Sequence, residues 1–377
     1  MFLLLYMTIA VCYAIYIYGF IKKNKISTFI CLALATFFVG GAYVMADYDS
    51  YNNMFCMMKT VESLNSLDVM SYAGYSSADY GYLFTNYIFY KLGVDFAEYR
   101  LIMIGMFLLI IMRESNKIID SVLLVVLCYI IYPLFMDGIQ FRNYFVEIAL
   151  LFAVCQLMLL NFKNKINYIL LLLIATSFHK IALVYIPFVV WLSLRNYSWG
   201  RTIRKIVLAF GACSPLFTNM ILNHIDAIYL MALEAGQYTS YLNQDFRIRH
   251  YLAYCLVLFC AFFVNYVYHM SVKFNYNDMQ IRFVYIVKEM FLYLLALSPL
   301  YLLSTDLIRI PRNTLLLIYI VVVIYIQGFS SKYIKAILVS IVLLLCGIYG
   351  YIDFYRNAGA ENMETIINYN YLYEYFF

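Results

Sequence analysis

Long apolar segments separated by short polar connections recur along almost the whole chain. A helix that spans a bilayer needs about 20 mostly apolar residues, because its backbone must satisfy its own hydrogen bonds away from water. The pattern therefore predicts an all-α polytopic membrane protein with about twelve transmembrane helices. The predicted spans are residues 2–20, 26–46, 100–112, 118–136, 144–160, 166–178, 181–194, 206–222, 251–272, 283–304, 314–329 and 336–352.

Two longer polar stretches interrupt this pattern, at residues 47–99 and 223–250, and a polar, tyrosine-rich tail follows at 353–377. Within the first stretch, residues 80–92 are too short and too polar for a span, and we expect them to lie as a helix at the membrane interface, where tyrosine is favoured. Both loops and the tail are predicted on the outer face. The chain as a whole, residues 1–377, is predicted to form a single integral membrane domain.

Composition supports this class and excludes others. The chain is 65% hydrophobic and only 12% charged, with 41 tyrosines and 30 phenylalanines, which exceeds what a soluble core of this length needs. The net charge of +5 is spread over many short loops, which argues against a nucleic-acid partner. The nine cysteines lie almost entirely in apolar segments without a C-x-x-C pair, so they predict neither a disulfide framework nor a metal site, and no cofactor is expected.

The orientation follows from the basic residues. The apolar segment 2–20 precedes the basic cluster at 22–25, the reverse of the order in a signal peptide, so we expect a retained first span with its amino end outside. The short connections that this assigns to the cytoplasm carry more lysine and arginine than the outer ones, in agreement with the positive-inside rule. An additional span at residues 80–92 would place the amino end inside instead.

Three arginines at the outer ends of predicted spans indicate a site for an anionic ligand. Arg142, Arg309 and Arg312 lie beside aromatic and amide residues. Arginine stays charged and presents a planar fork of donors that suits phosphate or carboxylate. Gln140 and Asn143, the amide residues beside Arg142, complete the predicted substrate-binding set.

Simpler roles remain open for the same arginines. Charged residues near helix ends often only anchor the helix or pair with a neighbouring acid. On this interpretation Arg142 pairs with Glu147 or Asp137, and Arg309 pairs with Asp306.

His179 lies at the outer end of the sixth predicted span. The polar residues 161–165 join the two apolar segments that begin after Arg142 and end before His179, so both residues should lie on the same side of the bilayer. A neutral imidazole there could act as a general base, or it could be hydrogen-bonded and structural. Asp47 and Asp79 are further candidates for the base. Asp47-Tyr48-Asp49 also resembles the D-x-D pattern that holds a metal in many glycosyltransferases, although acids in a polar loop are usually just solvated.

Five short motifs, taken in order, resemble the EpsG/Wzy-type polysaccharide polymerase family over most of the chain. They are D-Y-D-S-Y at 47–51, D-Y-G-Y-L-F at 79–84, G-I-Q-F-R-N-Y at 138–144, A-T-S-F-H-K-I-A-L-V-Y-I-P at 175–187 and I-R-I-P at 308–311. The most specific match is Ser177-Phe178-His179 followed by Pro187. The family pattern usually has glutamine where this chain has Asn143.

The resemblance implies a reaction, a location and partners. Such proteins join oligosaccharide repeat units carried on undecaprenyl diphosphate at the periplasmic face of the bacterial inner membrane, for O-antigen, capsule or exopolysaccharide. Arg142 and Arg309 would bind the donor diphosphate, and His179, Asp47 or Asp79 would take the proton from the attacking hydroxyl. Besides the lipid-linked oligosaccharide and membrane lipid, a chain-length regulator protein would be a further partner.

Two other classes of protein fit the same pattern. A flippase or exporter of lipid-linked sugar would also need a basic cavity, but its charges should line a path through the midplane. A membrane O-acyltransferase would take its acyl donor from the cytoplasm, so its histidine should be reachable from the inner side.

Overall fold

The structure, a computed structural model, describes residues 25–42, 47–61, 80–159, 161–234, 248–303 and 305–355. All regular secondary structure within these ranges is helical, which confirms the predicted all-α class. Three 3-10 segments cover Met57–Thr60, Lys180–Tyr185 and Thr305–Ile308, and a π-helical turn covers Tyr351–Tyr355. The α-helices are α1 (Lys25–Gly40), α2 (Tyr48–Cys56), α3 (Tyr80–Lys91), α4 (Phe96–Asn116), α5 (Leu123–Ile131), α6 (Leu134–Ile139), α7 (Phe141–Leu157), α8 (Phe162–Thr176), α9 (Phe188–Leu194), α10 (Ser198–Glu234), α11 (Ile248–His269), α12 (Asp278–Ala296), α13 (Ser298–Leu303), α14 (Arg309–Arg312), α15 (Leu315–Gln327) and α16 (Lys332–Gly350).

Several helices begin at polar residues that satisfy the first backbone N–H groups. At α4 the Glu98 N–H donates to the Asp95 carboxylate at 2.8 Å, and the Asp95 N–H donates to the Glu98 carboxylate at 3.1 Å. Asn277 and Gln280 make the same reciprocal pair at α12. These capping boxes fix where the helices start, because the first turn of a helix leaves its N–H groups without intrahelical partners.

Prolines divide three of the predicted spans. Span 118–136 becomes α5 and α6, span 181–194 becomes a 3-10 turn and α9, and span 283–304 becomes α12 and α13. Proline lacks the N–H group and its ring clashes with the preceding turn, so a helix usually ends or restarts there. The prolines at these divisions are Pro133, Pro187 and Pro299.

The two predicted loops contain helices. In the first, α2 buries Tyr48, Tyr51, Met54 and Phe55, whose spacing of three to four residues places them on one helical face. This helix was not predicted, because the polar residues between these four concealed the helical period. In the second, α10 begins within the predicted basic linker and continues to Glu234. The predicted span 2–20, the residues after 355 and Asp79 lie outside the described residues.

The centre of the fold is formed by α5 and α15, which are apolar and buried almost all the way round. A helix that is hydrophobic on every side is enclosed by others. Here α15 packs against α5, α11, α12 and α16. Of the described helices, three are long and apolar enough to cross a membrane, over Tyr251–His269, Arg309–Gln327 and Lys332–Asp353. The count of about twelve spans stays a prediction.

Candidate functional site

The site is built around an interruption between α6 and α7. After Ile139 the chain passes through Gln140, whose backbone angles of −94° and 57° are not helical, and α7 begins at Phe141. This places Gln140, Arg142 and Asn143 together at the amino end of α7. The interruption therefore gives three of the predicted binding residues a common location.

His179 lies in the turn that follows α8. Its side chain caps the 3-10 segment, since the Ile181 N–H donates to His179 Nδ1 at 3.2 Å. A ring nitrogen that accepts a hydrogen bond carries no proton, so the neutral ring carries its proton on Nε2. His179 therefore offers an Nε2–H donor to the site rather than a vacant basic nitrogen.

Electrostatic interactions connect His179 to all three predicted arginines. Burial, reinforced by Arg309, Arg142 and Arg312, lowers the pKa of His179 to about 3. A positive ring next to these guanidinium groups would be repelled and poorly solvated. His179 is therefore neutral at physiological pH.

Asp47 belongs to the same electrostatic group. Burial raises the pKa of the Asp47 carboxyl above its ordinary value, and Arg309 and Arg142 act in the opposite direction. The sequence left open whether this aspartate is a candidate base or a solvated acid in a polar loop. The structure places it just before α2, within the electrostatic influence of the two arginines.

The second motif packs directly on the His179 turn. The Gly81 N–H donates to the Ser177 carbonyl at 2.8 Å. A Cβ atom at Gly81 would lie 2.2 Å from Ser177 Oγ and 3.0 Å from the Phe178 ring, so any other residue would force these side chains to shift. The glycine in D-Y-G-Y-L-F thus brings the amino end of α3 against the S-F-H motif.

Aromatic rings join the first three motifs. The Tyr82 ring lies 5.7 Å from the Tyr51 ring and 6.3 Å from the Phe141 ring, in edge-to-face geometry. The Arg142 guanidinium lies over the Tyr51 ring, 5.6 Å from its centroid. Phe145, one turn after Phe141, stacks on Phe178 with ring centroids 4.3 Å apart. These contacts position Arg142 next to α2 and next to the His179 turn.

The fifth motif, on α14, is held by side chains from the third and fourth. The Tyr185 hydroxyl donates to the Ile310 carbonyl at 2.6 Å. Asn143 and Asn313 form a reciprocal amide pair at 2.6 and 3.0 Å. Asn143, predicted to bind substrate, is therefore engaged within the protein. Its partner Asn313 was not predicted, and only its position two residues after the I-R-I-P motif pointed to it.

Arg312 is enclosed rather than open to a ligand. Its side chain is 3% exposed, its Nη2 donates to Gln140, its Nε lies 3.8 Å from the Asp137 carboxylate, and its Nη1 lies 4.0 Å from the Asp353 carboxylate. Asp353 also accepts a hydrogen bond from the Tyr132 hydroxyl. Asp137, which the simpler sequence interpretation offered beside Glu147 as a partner of Arg142, thus lies against Arg312.

Behind Arg312 lies a group of buried polar side chains that the sequence did not single out as a site. The Tyr129 hydroxyl lies 2.9 Å from the Asp137 carboxylate and 3.0 Å from that of Glu147, and both acids are 1% exposed. A tyrosine has one proton to donate, so it can serve only one of these acceptors at a time. The sequence feature that could have indicated this group is Glu147, an acid inside an apolar segment one helical turn after Asn143.

Arg100 is a second residue that the sequence reasoning missed. It was assigned to the outer end of a span, but it is 2% exposed inside α4. Its guanidinium donates to the carbonyls of Val39 at 3.3 Å, Gly138 at 3.2 Å and Ala42, and lies 5.2 Å from the centroid of the Tyr48 ring. Arg100 therefore joins the end of α1, the start of α2 and the end of α6.

Taken together, the described residues form an all-helical, strongly apolar protein in which arginines, a neutral histidine and an aspartate converge. Such an arrangement suits a membrane protein that handles an anionic substrate. Among the described ranges, no group of three His, Cys, Asp or Glu side chains is arranged to hold a metal ion.

The comparison with known families agrees with this class. The chain belongs to the EpsG family, whose model matches residues 25–371, and this confirms the resemblance seen in the sequence. The family is a Wzy-type polymerase-like family, so the chain is a membrane protein with a polysaccharide polymerase-like role in exopolysaccharide or O-antigen synthesis. No curated protein and no solved structure matches the chain.

Proposed function

We propose that the chain joins oligosaccharide repeat units carried on undecaprenyl diphosphate at the outer face of the bacterial inner membrane. The bond between the anomeric carbon of the growing chain and the diphosphate oxygen breaks, and a glycosidic bond forms to a hydroxyl of the next lipid-linked unit. The hydroxyl proton passes to a base, and undecaprenyl diphosphate leaves. The observation that carries this proposal is the convergence of Arg142, Arg309, His179 and Asp47 from four separate segments.

In this proposal Arg142 and Arg309 bind the donor diphosphate. Both side chains are partly exposed, and both act on His179 and on Asp47. Guanidinium groups aimed at the diphosphate would stabilise the negative charge that develops on the leaving group. Arg312 differs because it is buried against carboxylates, so we assign it the role of positioning Gln140 and the end of α6.

Asp47 and His179 take complementary roles. The His179 Nδ1 atom is engaged with the backbone, which supports a role for its Nε2–H as a donor to a diphosphate or sugar oxygen. Asp47 is an acceptor, and a carboxyl whose pKa is raised is a better general base near neutral pH. We therefore favour Asp47 as the base, with Asp79 as the other candidate.

Complementation of a deletion strain tests the proposal. Cells that lack the gene should display single repeat units, and the intact protein should restore a ladder of longer polysaccharide on a gel. Arg142→Ala should abolish the ladder, because the charge on the leaving group is no longer stabilised, and Arg142→Lys should rescue poorly because the planar fork is lost. Arg113→Ala is the matched control, since the Arg113 side chain is 75% exposed on α4, and should leave the ladder unchanged.

Two other outcomes would contradict the role of Arg142 or the proposal as a whole. A normal ladder with Arg142→Ala, at equal protein level, would remove Arg142 from the site. Absence of any repeat unit at the surface of the deletion strain would indicate a flippase.

A further inference from the structure

A groove lined almost entirely by apolar atoms lies between α11, α15 and α16. It has a volume of about 210 Å³ and is lined by side chains that include Phe259 and Phe263 of α11, Ile318 and Val322 of α15, and Ile341 and Leu345 of α16. These three helices contain the described segments that are long and apolar enough to cross a membrane. The groove therefore lies within the segments expected at the depth of the lipid chains.

The groove is open on one side. Leu345 is 49% exposed, and Ile341 and Phe259 are also exposed. A long, flexible apolar chain could thus enter sideways from the membrane. Such entry suits a substrate whose tail stays in the bilayer.

One end of the groove meets the arginine-containing site. Tyr132 and Tyr349 line this end, with ring centroids 5.1 Å apart, and the Tyr132 hydroxyl donates to Asp353. Asp353 lies 4.0 Å from Arg312, which in turn donates to Gln140. The end of the groove is therefore adjacent to the cationic site, across the buried and mutually bonded side chains of Tyr132, Asp353 and Arg312.

The order of residues along the chain agrees with this proximity. On α15 the groove face runs from Leu315 to Ile326, a length of about 16 Å at about 1.5 Å per residue, and Arg312 lies three residues before Leu315. On α16 the groove residues end at Tyr349, four residues before Asp353. Arg312, at the end of α14, and Asp353, in the π-helical turn after α16, therefore both lie just beyond the same end of the apolar strip.

We infer that this groove binds the first part of the polyprenyl chain of the lipid-linked donor while its diphosphate lies at Arg142 and Arg309. This inference rests on the proposed function and adds the location of the lipid tail. An anionic head next to a long apolar tail is the ligand chemistry that a cationic site beside an apolar groove recognises. The groove would also hold the leaving undecaprenyl diphosphate after transfer, since it carries the same tail.

Site-specific photo-cross-linking tests this assignment. A small amino acid with an aliphatic diazirine, close to leucine in size, replaces Leu345, which lines the groove, or Leu344, which is 63% exposed on the same helix but does not line it. The intact protein is placed in phosphatidylglycerol nanodiscs with radiolabelled undecaprenyl diphosphate. We expect labelling at position 345 to be at least several-fold above that at 344, to saturate, and to fall with excess unlabelled undecaprenyl diphosphate but not with added phosphatidylglycerol.

Equal, non-saturating labelling at both positions would overturn the inference and leave the groove as a surface for bulk lipid.

Leu345→Trp and Leu344→Trp, compared in the complemented deletion strain, give a second measurement. Filling the groove with Leu345→Trp should shorten or remove the ladder, whereas Leu344→Trp should leave it unchanged. A ladder unaffected by both variants, together with equal labelling, contradicts the groove but not the polymerase. Saturable labelling at 345 in a protein whose deletion leaves the polysaccharide ladder intact supports the groove and contradicts the polymerase.

Discussion

His179 shows how the residues around a side chain decide what it can do. From the sequence, a histidine at the membrane boundary is a candidate general base, because its ordinary pKa is near neutrality. In the structure its Nδ1 accepts the Ile181 N–H, and burial with three nearby arginines lowers its pKa to about 3. We therefore expect a neutral hydrogen-bond donor.

This role predicts how the reaction depends on pH. With purified protein and lipid-linked repeat units, the rate of chain extension between pH 5 and pH 9 should show no inflection that belongs to His179, since the ring stays neutral throughout. His179→Gln, which keeps an N–H donor, should retain more activity than His179→Leu. An inflection near pH 6.5 that disappears in His179→Gln would show that the ring titrates in the site and would restore the role of base.

The same lowered pKa predicts a trend in stability. An unfolded chain protonates this histidine below its ordinary value of 6.5, whereas the folded protein protonates it only near 3. Between these values the unfolded state binds more protons, so the free energy of unfolding decreases as the pH falls through this window. In detergent, the melting temperature should therefore decrease less from pH 7 to pH 5 for His179→Gln than for the intact protein. An identical loss in both would contradict the lowered pKa.

At the scale of elements, the sequence predicted segments better than it predicted their contacts. Apolar runs identified α7, α8, α11, α15 and α16 to within a few residues, because a helix in an apolar environment leaves a long local signal. The break at Gln140 and the pairing of Asn143 with Asn313 left no such signal. They depend on tertiary packing between α7 and the turn after α14, which local pattern does not encode.

The motifs carried part of the missing information. Gly81 lies within the D-Y-G-Y-L-F motif, but its approach to Ser177 became visible only in the structure. Arg312 was grouped with Arg142 and Arg309 because all three lie at predicted outer ends of spans beside aromatic and amide residues. Its burial against Asp137 and Asp353 separates it from them.

Arg312 and Arg142 should consequently respond differently to substitution. Arg312→Met removes the cation next to the buried Asp137, and breaking a buried ion pair typically costs about 3–5 kcal/mol. We expect a large drop in thermal stability and in the amount of protein in the membrane. Arg142→Ala should abolish chain extension with a much smaller drop, because the Arg142 side chain is partly exposed.

A double variant tests whether the unpaired Asp137 charge causes the loss of stability in Arg312→Met. Arg312→Met combined with Asp137→Asn removes both charges of the pair and should recover part of the lost stability. If Arg312→Met is as stable as the intact protein but inactive, Arg312 acts on the substrate and not on the fold.

At the scale of the whole molecule, α15 runs from the cationic site through the core to the opposite end of the fold. The segment Arg309–Gln327 begins next to the cationic site and runs through the core, and the chain turns at residues 328–331 into α16. His179 lies near Arg309, at the beginning of this segment. The exposed residues Lys180 and Lys332 therefore mark the site end and the opposite end.

These two lysines provide the test of sidedness. Cysteines at 180 and 332, each introduced into a protein whose exposed native cysteines are replaced by alanine, are treated in intact spheroplasts with a membrane-impermeant thiol reagent. If the site faces outward, as polymerisation of exported repeat units requires, Lys180→Cys is labelled at once and Lys332→Cys only after the membrane is permeabilised. Labelling of Lys332→Cys alone would place the arginines on the cytoplasmic side. That location would favour a membrane O-acyltransferase, which takes its acyl donor from the cytoplasm. Labelling of both without permeabilisation would mean that Arg309–Gln327 does not cross the membrane.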